Sequence, residues 1–223
     1  MNENQGAFFP KWTNGIRSAL AVGTAIGALY VGTVITFGFS PQATDVGYMP
    51  SQPVPYSHAL HAGKLGIDCL YCHTSVTDGA HANIPPTQTC MGCHANVNVP
   101  EDRVFKLDPV KKSFEDGTPI KWKKIHDLPD YAYFDHSAHV NRGIGCVSCH
   151  GRIDQMEVVY QSQPLSMQWC LDCHRNPEKH LRPLDQITNM TWVPPGGDQI
   201  AAGQELKKAM GINPSQDCST CHR

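Results

Sequence analysis

The sequence predicts a domain that is mostly coil with short α-helices, preceded by one N-terminal transmembrane α-helix. Three observations lead to this prediction. The 223 residues include 19 Gly and 17 Pro, and only 8% are aromatic, so turns should outnumber long regular elements. Residues 18–44 contain no charged side chain, which predicts the transmembrane helix. All ten Cys fall into five Cys-x-x-Cys pairs, and a His directly follows each pair.

The five Cys-x-x-Cys-His motifs are typical of covalent attachment sites for c-type haem. Two thiols at this spacing can form thioether bonds with the two vinyl groups of one haem, and the next His then lies under the iron as its proximal ligand. The predicted attachment residues are Cys69, Cys72, Cys90, Cys93, Cys146, Cys149, Cys170, Cys173, Cys218 and Cys221. The predicted proximal ligands are His73, His94, His150, His174 and His222. The predicted fold class is therefore a multihaem cytochrome c, with its short helices arranged around five haems.

Other uses of the cysteines explain the pattern less well. Five pairs do not divide into four-cysteine zinc sites, and a His directly after the second Cys is not the usual zinc spacing. A disulfide framework leaves the five His residues unexplained. The net charge of −2 excludes the basic excess of a nucleic-acid-binding protein, so no nucleic-acid partner is expected.

The charge-free stretch 18–44 predicts a retained membrane anchor rather than a cleaved signal peptide. Its apolar centre, residues 19–39, is long enough to span a bilayer once. A signal peptide has a shorter apolar region followed by a small-x-small cleavage site, and residues 40–43 match such a site poorly.

The charges that flank this stretch predict its orientation. Lys11 and Arg17 precede it, and Asp45 is the first charged residue after it. The positive-inside rule then places residues 1–17 in the cytoplasm. Residues 45–223, with all the haem motifs, are expected on the periplasmic side of a bacterial cytoplasmic membrane, where c-type haem is attached.

An internal duplication organises the haem-binding part. The pattern aromatic-x-His-x-x-His precedes a haem motif twice, from Tyr56 to His61 and from Phe134 to His139. This repeat predicts two dihaem units joined by a linker, with a fifth haem near the C-terminus. The predicted segments are the dihaem unit 53–95, the linker 96–130, the dihaem unit 131–176 and the fifth-haem segment 177–223.

Two further features lie outside the haem motifs. The linker carries clustered lysines, which favour a solvated surface over a docking patch. A soluble helix is predicted for residues 199–210, because Asp198 can cap its N-terminus and Gly211 can end it.

Each of the five haem irons needs a second axial ligand, in addition to its proximal His, if no iron is to be left with an open coordination position. The paired His58 and His61, and His136 and His139, are the strongest candidates, because a His-x-x-His spacing places two imidazoles one helical turn apart. This arrangement resembles multihaem cytochromes of the c3 and c7 type. His81 and His126 are further candidates, whereas His180 is expected at the surface.

Methionine offers a second kind of axial ligand. The second dihaem unit has no His at the position of His81, but it contains Met156 and Met167, and Met190 precedes the fifth motif. A thioether ligand raises the haem potential relative to a second imidazole, and we expect at least one of these three Met to serve as a ligand. Since enough ligands exist for five irons, the sequence favours a closed path for electrons over a haem enzyme with an open iron.

The order of these features resembles the pentahaem cytochrome subunit of alternative complex III. The resemblance covers nearly the whole chain. Local sequences strengthen it: Phe9-Pro-Lys-Trp12, Ile84-Pro-Pro-Thr-Gln-Thr-Cys-Met91, His126-Asp-Leu-Pro-Asp130, Met156-Glu-Val-Val-Tyr160 and Asn189-Met-Thr-Trp192. The resemblance implies a bacterial quinol:acceptor oxidoreductase in which bis-His and His/Met haems relay electrons from quinol oxidation towards a periplasmic cytochrome or another acceptor. It also implies an iron–sulfur subunit, polytopic quinol-binding subunits and a monohaem cytochrome as partners.

Three other functions remain open from the sequence. A quinol-dehydrogenase anchor that feeds a periplasmic reductase also has one helix and several c-type haems, but the duplicated layout and the lone C-terminal motif count against it. A haem enzyme would need an open iron. A redox sensor would need a signalling domain on the cytoplasmic side, where only about 17 residues are expected.

Overall fold

The computed structural model describes residues 10–38 and 45–222. The chain divides into two compact units, residues 1–45 and 46–223. About half of the described residues are helical, which is more than the mostly coil fold that the sequence predicts. The α-helices are α1 (Asn14–Gly38), α2 (Cys69–Cys72), α3 (Thr87–His94), α4 (Asp108–Asp116), α5 (His136–Val140), α6 (Val147–His150), α7 (Met167–Arg175), α8 (Gln199–Ala209) and α9 (Cys218–Cys221).

The helix α1 makes up most of the described part of the first unit. Its 25 residues span about 37 Å at 1.5 Å per residue, more than the hydrocarbon thickness of a bilayer. A window within it has a mean hydropathy of 1.8, so α1 is long and apolar enough to cross a membrane. The predicted helix is thus confirmed as an apolar element. It begins four residues earlier than the predicted anchor 18–44, and residues 39–44 of that anchor lie outside the described residues.

The second unit is built from short helices and turns. A π-helix occupies Ala59–Lys64, and 3₁₀ turns occupy the ranges Glu101–Leu107, Ile153–Gln155, Pro177–Lys179 and Leu184–Gln186. No β-strand forms among the described residues. Two isolated antiparallel bridges join Ala132 to His222 and Ile144 to Leu181.

Polar caps explain where several of the short helices begin. Each cap side chain accepts a hydrogen bond from a backbone N–H in the first turn, which satisfies a donor that has no partner within the helix. The caps are Asp68 to Leu70 N (2.8 Å), Asp135 to Ser137 N (2.8 Å), Ser166 to Trp169 N (3.3 Å) and Asp198 to Ala201 N (2.9 Å). The predicted cap of α8 is confirmed, and Gly211 follows this helix with a positive φ of 61°.

The region predicted as a linker, 96–130, contains the 3₁₀ turn from Glu101 and helix α4, which packs against α3. Val110 of α4 is buried, and the Ser113 hydroxyl donates to the carbonyl oxygen of Thr118 at 2.5 Å. Gly117 then ends α4 in the left-handed conformation. The linker therefore includes folded elements of its own.

Buried apolar side chains are few in the second unit. A small cluster contains Val76, Val140 and Ile187, with Leu70 and Ala82 packed against it. A 178-residue unit of ordinary composition would bury a larger apolar core. Instead, many large apolar side chains are exposed, and a large cavity occupies the interior.

Candidate haem-binding site

A cavity of about 2220 Å³ lies within the second unit. Ordinary small-molecule sites measure about 300–1,000 Å³, so this space suits several large cofactors. The His of all five Cys-x-x-Cys-His motifs lines the cavity. Cofactors that fill this cavity would take the place of the apolar core that the amino-acid composition does not supply.

Each motif folds as about one helical turn. In α2, the backbone N–H of His73 donates to the carbonyl oxygen of Cys69 at 2.9 Å, and His222 donates to Cys218 in the same way at 2.8 Å. Residues three and four apart on a helical turn share one face, so both Cys and the His of a motif are presented together. This local geometry is what attachment to one cofactor requires.

Backbone carbonyl groups orient the imidazoles of both the motif His and the His-x-x-His residues. Nδ1 lies within 3.1 Å of a backbone carbonyl oxygen in six His, which makes Nδ1–H the donor and leaves Nε2 with a free lone pair. The pairs are His61 with Ser57 (2.9 Å), His73 with Asn83 (2.7 Å), His136 with Ala80 (2.7 Å), His139 with Asp135 (2.7 Å), His174 with Ser215 (2.6 Å) and His222 with Tyr131 (3.1 Å). The free lone pair on Nε2 is what a haem iron binds.

Three pairs of imidazoles face one another at a spacing that fits one metal ion between them. Their ring centroids are 6.1 Å apart for His61 and His94, 6.5 Å for His136 and His150, and 6.1 Å for His139 and His174. Metal–imidazole bonds are about 2.0–2.1 Å long, so two imidazoles on opposite sides of one ion have centroids about 6 Å apart. In each pair, one ring belongs to a haem motif and the other to a His-x-x-His sequence.

The aromatic residue that begins each repeat contacts both imidazoles of its His-x-x-His sequence. The Tyr56 ring stacks on His61 with centroids 4.4 Å apart and meets His58 edge-on at 4.9 Å. The Phe134 ring stacks on His139 at 4.6 Å and meets His136 edge-on at 4.8 Å. The sequence shows the aromatic residue of each repeat, but its stacking role is visible only in the structure.

Burial favours the neutral form, which is the form that binds metals, in several of these imidazoles. Desolvation lowers the pKa of His150 to about 3, and repulsion by neighbouring His residues adds to this effect. Desolvation followed by repulsion from His73 and His61 lowers the pKa of His58 to about 4. Nδ1 of His58, His94 and His150 is buried without a hydrogen-bond partner.

Interactions between cysteines of different motifs indicate which motifs are neighbours. The thiols of Cys69 and Cys146, which would become thioethers in the haem-bound protein, hydrogen bond to each other and join the first motif to the third. Electrostatic interactions join Cys72 to the second motif, Cys149 to the fourth, and Cys170 of the fourth motif to Cys221 of the fifth.

The remaining predicted ligands are placed less regularly. His81 is exposed but lines the cavity, as does the half-buried His180. His126 meets His150 with ring centroids only 4.5 Å apart at 75°, which is too close for a metal ion between the two rings, and its Nε2 is buried without a partner.

The three candidate methionines differ from one another. Met156 is buried, with 4% of its surface exposed, and it does not line the cavity. Met167 lines the cavity from the first turn of α7 and is 66% exposed. Met190 is half-buried and lies outside the cavity lining. The choice among these ligands stays a prediction.

The cavity, the paired motif residues and the facing imidazoles fit covalently bound c-type haem, and these are the features expected of a multihaem cytochrome c. Comparison with known proteins agrees with this class. Residues 132–223 match the family model described as cytochrome c7 and related cytochrome c. The chain is also 29% identical over 176 residues to the multihaem cytochrome c subunit of menaquinone reductase from Nitratidesulfovibrio vulgaris, covering 68% of this chain and 81% of that protein.

The comparisons support the coarse class more strongly than the predicted complex. They are consistent with c-type haems and with electron transfer linked to a quinone. Neither match is to a subunit of alternative complex III, so that resemblance remains a hypothesis. The number of haems also remains a prediction from the five motifs.

Proposed function

We propose that the chain is a membrane-anchored pentahaem electron-transfer subunit of a quinol-oxidising complex of the alternative complex III type. The observation that carries this proposal is the set of three facing imidazole pairs with centroids 6.1–6.5 Å apart. Two strong ligands on each iron favour electron transfer over substrate chemistry at the metal. When bound, the haems would supply one-electron redox chemistry, and the protein would hold and order them.

The ligand pairs follow the duplication. His94, His150 and His174 would hold haems with His61, His136 and His139 as their respective partners. By the same repeat, His58 would serve opposite His73, and its electrostatic interaction with His73 supports this assignment.

The fifth haem, held through His222, would take its second ligand from the cavity-lining candidates. These are His81, His126, His180 and Met167. A Met ligand would make the fifth haem the member of highest potential. That arrangement would place the most favourable electron acceptor at one end of the chain of motifs.

The contacts between motifs support a linear sequence in the order second, first, third, fourth and fifth. Cys69 and Cys146 make its central contact. Electrons entering at one end would therefore pass the junction of the two dihaem units before leaving at the other end. This order differs from the order of the motifs along the chain.

The membrane context supports a quinol-linked role. The helix α1 would anchor the chain, with the haem domain on the periplasmic side. One helix offers little surface for a quinone site, so polytopic subunits would supply most of it. An iron–sulfur subunit and a monohaem cytochrome would complete the path.

In a second candidate function, electrons pass in the opposite direction, from the haems to a quinone. The relative in N. vulgaris is named as part of a menaquinone reductase, which favours delivery of electrons from the periplasm to a quinone. The two directions can be separated in the purified complex. Reduction of the haems by a menaquinol analogue supports quinol oxidation. Oxidation of pre-reduced haems by a menaquinone analogue supports quinone reduction. If both occur, the direction with the faster turnover with the physiological partner decides between them.

The ligand assignment is tested by removing one imidazole from the full-length haem-loaded protein. The wild-type protein should carry five haems by mass and show no spectral change when carbon monoxide is added to its reduced form. His136→Ala should expose one iron, so about one fifth of the haem absorbance should shift. His136→Met supplies a different ligand and should restore a closed iron.

Arg142→Ala is the control, because Arg142 is exposed, carries no imidazole and does not line the cavity. Its spectrum should match that of the wild type. A carbon monoxide response in the wild type would contradict the closed path and favour a haem enzyme. Absence of covalent haem would contradict the whole proposal.

A further inference from the structure

A buried cation lies beside the third haem motif. Arg182 is only 8% exposed, and its Nη1 donates to the carbonyl oxygen of Asn189 at 2.7 Å. Its guanidinium carbon lies 5.5 Å from the centre of the Trp192 ring, a cation–π contact. Its Nε is buried and has no hydrogen-bond partner.

This cation has no opposite charge close to it. Among residues 10–38 and 45–222, no carboxylate lies within ion-pair distance of Arg182. A buried charge without a partner is costly, so a protein retains one only where something compensates for it. Burial lowers the pKa of Arg182.

The backbone fixes Arg182 against the segment that leads into Cys146. The N–H of Arg182 donates to the carbonyl oxygen of Gly143 at 2.9 Å, and Cys146 N donates to Ile187 O at 3.0 Å. Gly145 is needed at this contact, because a Cβ there would overlap the Arg182 guanidinium. Arg182 therefore has little freedom to move away from the third motif.

We propose that Arg182 is a fixed positive charge that raises the reduction potential of the haem attached at Cys146 and Cys149. This inference rests on the proposed function, since it requires haem at that motif. Reduction adds one electron to a ferric haem and removes one positive charge from the iron, with no bond broken and no proton moved. A nearby buried cation disfavours the more positive oxidised state, and the low dielectric of the interior preserves the effect.

The position of this charge gives it a role in electron flow. Cys146 contacts Cys69, so the third motif lies where the two dihaem units meet. A higher potential there draws electrons across the junction from the first dihaem unit towards the second. Arg182 thus tunes the reduction potential of the third haem and does not itself carry electrons.

The test is a spectroscopic redox titration of the full-length haem-loaded protein. Arg182→Gln removes the charge and keeps a donor for Asn189, whereas Arg182→Lys keeps the charge. We expect Arg182→Gln to lower the equilibrium constant for reduction of one haem about tenfold, which is about 59 mV for one electron. Arg182→Lys should retain most of the wild-type potential. Arg142→Gln, at an exposed cation, is the control and should change nothing.

The outcomes separate the inference from the proposed function. Unchanged potentials in Arg182→Gln with full haem content would overturn the inference and leave the proposed function standing. An equal fall in Arg182→Gln and Arg182→Lys would show that packing, and not charge, is responsible. If Arg182→Gln fails to load haem, Arg182→Met provides a second neutral variant of similar length. Wild-type protein without haem would overturn the proposed function itself.

Discussion

Gly203 lies in the middle of α8, where this helix packs on the 3₁₀ turn Pro177–Lys179 that follows the fourth haem motif. A Cβ at this position would overlap the carbonyl oxygen of Glu178 and lie 2.6 Å from its carbonyl carbon and 2.8 Å from its Cα. These are backbone atoms, so they cannot move aside as the end of a flexible side chain can. We therefore predict that Gly203→Ala destabilises the protein.

The expected magnitude follows from two opposing terms. Alanine is favoured over glycine in a helix interior by about 0.8–1.0 kcal/mol, so the substitution without a clash would stabilise α8. Overpacking of a closely packed site costs about 1–3 kcal/mol. The backbone contact places Gly203→Ala towards the upper end of that range, so the net loss should be about 1–2 kcal/mol.

Thermal unfolding of the haem-loaded protein, followed by helical circular dichroism, measures this loss. For a chain of this size, about 1 kcal/mol lowers Tm by about 2–4 °C. The exposed neighbour Gln204 supplies the control, because the difference between Gln204→Gly and Gln204→Ala reports helix propensity alone. If Gly203→Ala is as stable as the wild type, or more stable, the close packing of α8 on Glu178 is wrong.

Two further predictions concern acid stability and the iron ligands. Arg152 donates to both carboxylate oxygens of Asp154 at 2.8 and 2.7 Å and lowers the pKa of that carboxyl. The stabilisation is complete above the ordinary carboxyl pKa of about 4 and is lost as the pH falls through the lowered pKa, so Asp154→Asn should flatten the acid side of a plot of Tm against pH. An unchanged acid side would mean that the pair contributes nothing. The rings of His61 and His94 cross at 62°, whereas the ring facing His150 is nearly parallel to it at 8°. Steeply crossed imidazoles give a single large low-field signal in the electron paramagnetic resonance spectrum of the oxidised protein, and His61→Ala should remove it; a persisting signal would assign it to another haem.

The sequence predicted several elements correctly because their determinants are local. The helix α8 was expected at residues 199–210 and forms at Gln199–Ala209, with Asp198 as the cap. The apolar N-terminal helix was also expected and forms at Asn14–Gly38. The linker was harder to predict, because α4 depends on packing against α3 and its own periodic pattern is short.

The His-x-x-His residues show where sequence reasoning reaches its limit. The spacing identified His61 and His139 as candidates, but it left open which motif each one faces. The structure places His61 opposite His94 and His139 opposite His174, across long stretches of chain. Arg182 was not singled out at all, because nothing in its local sequence shows burial or the absence of a carboxylate partner.

The sequence by itself predicted the class of cofactor and its points of attachment. Two Cys and a His within one helical turn share a face whatever the rest of the chain does, because residues three and four apart are neighbours on a helix. Only the tertiary structure decided which imidazoles face each other, that the first and third motifs meet at Cys69 and Cys146, and that Arg182 lies beside the segment leading into Cys146. These contacts join residues far apart in the chain, so they depend on the packing of the whole haem-binding unit and leave no local pattern.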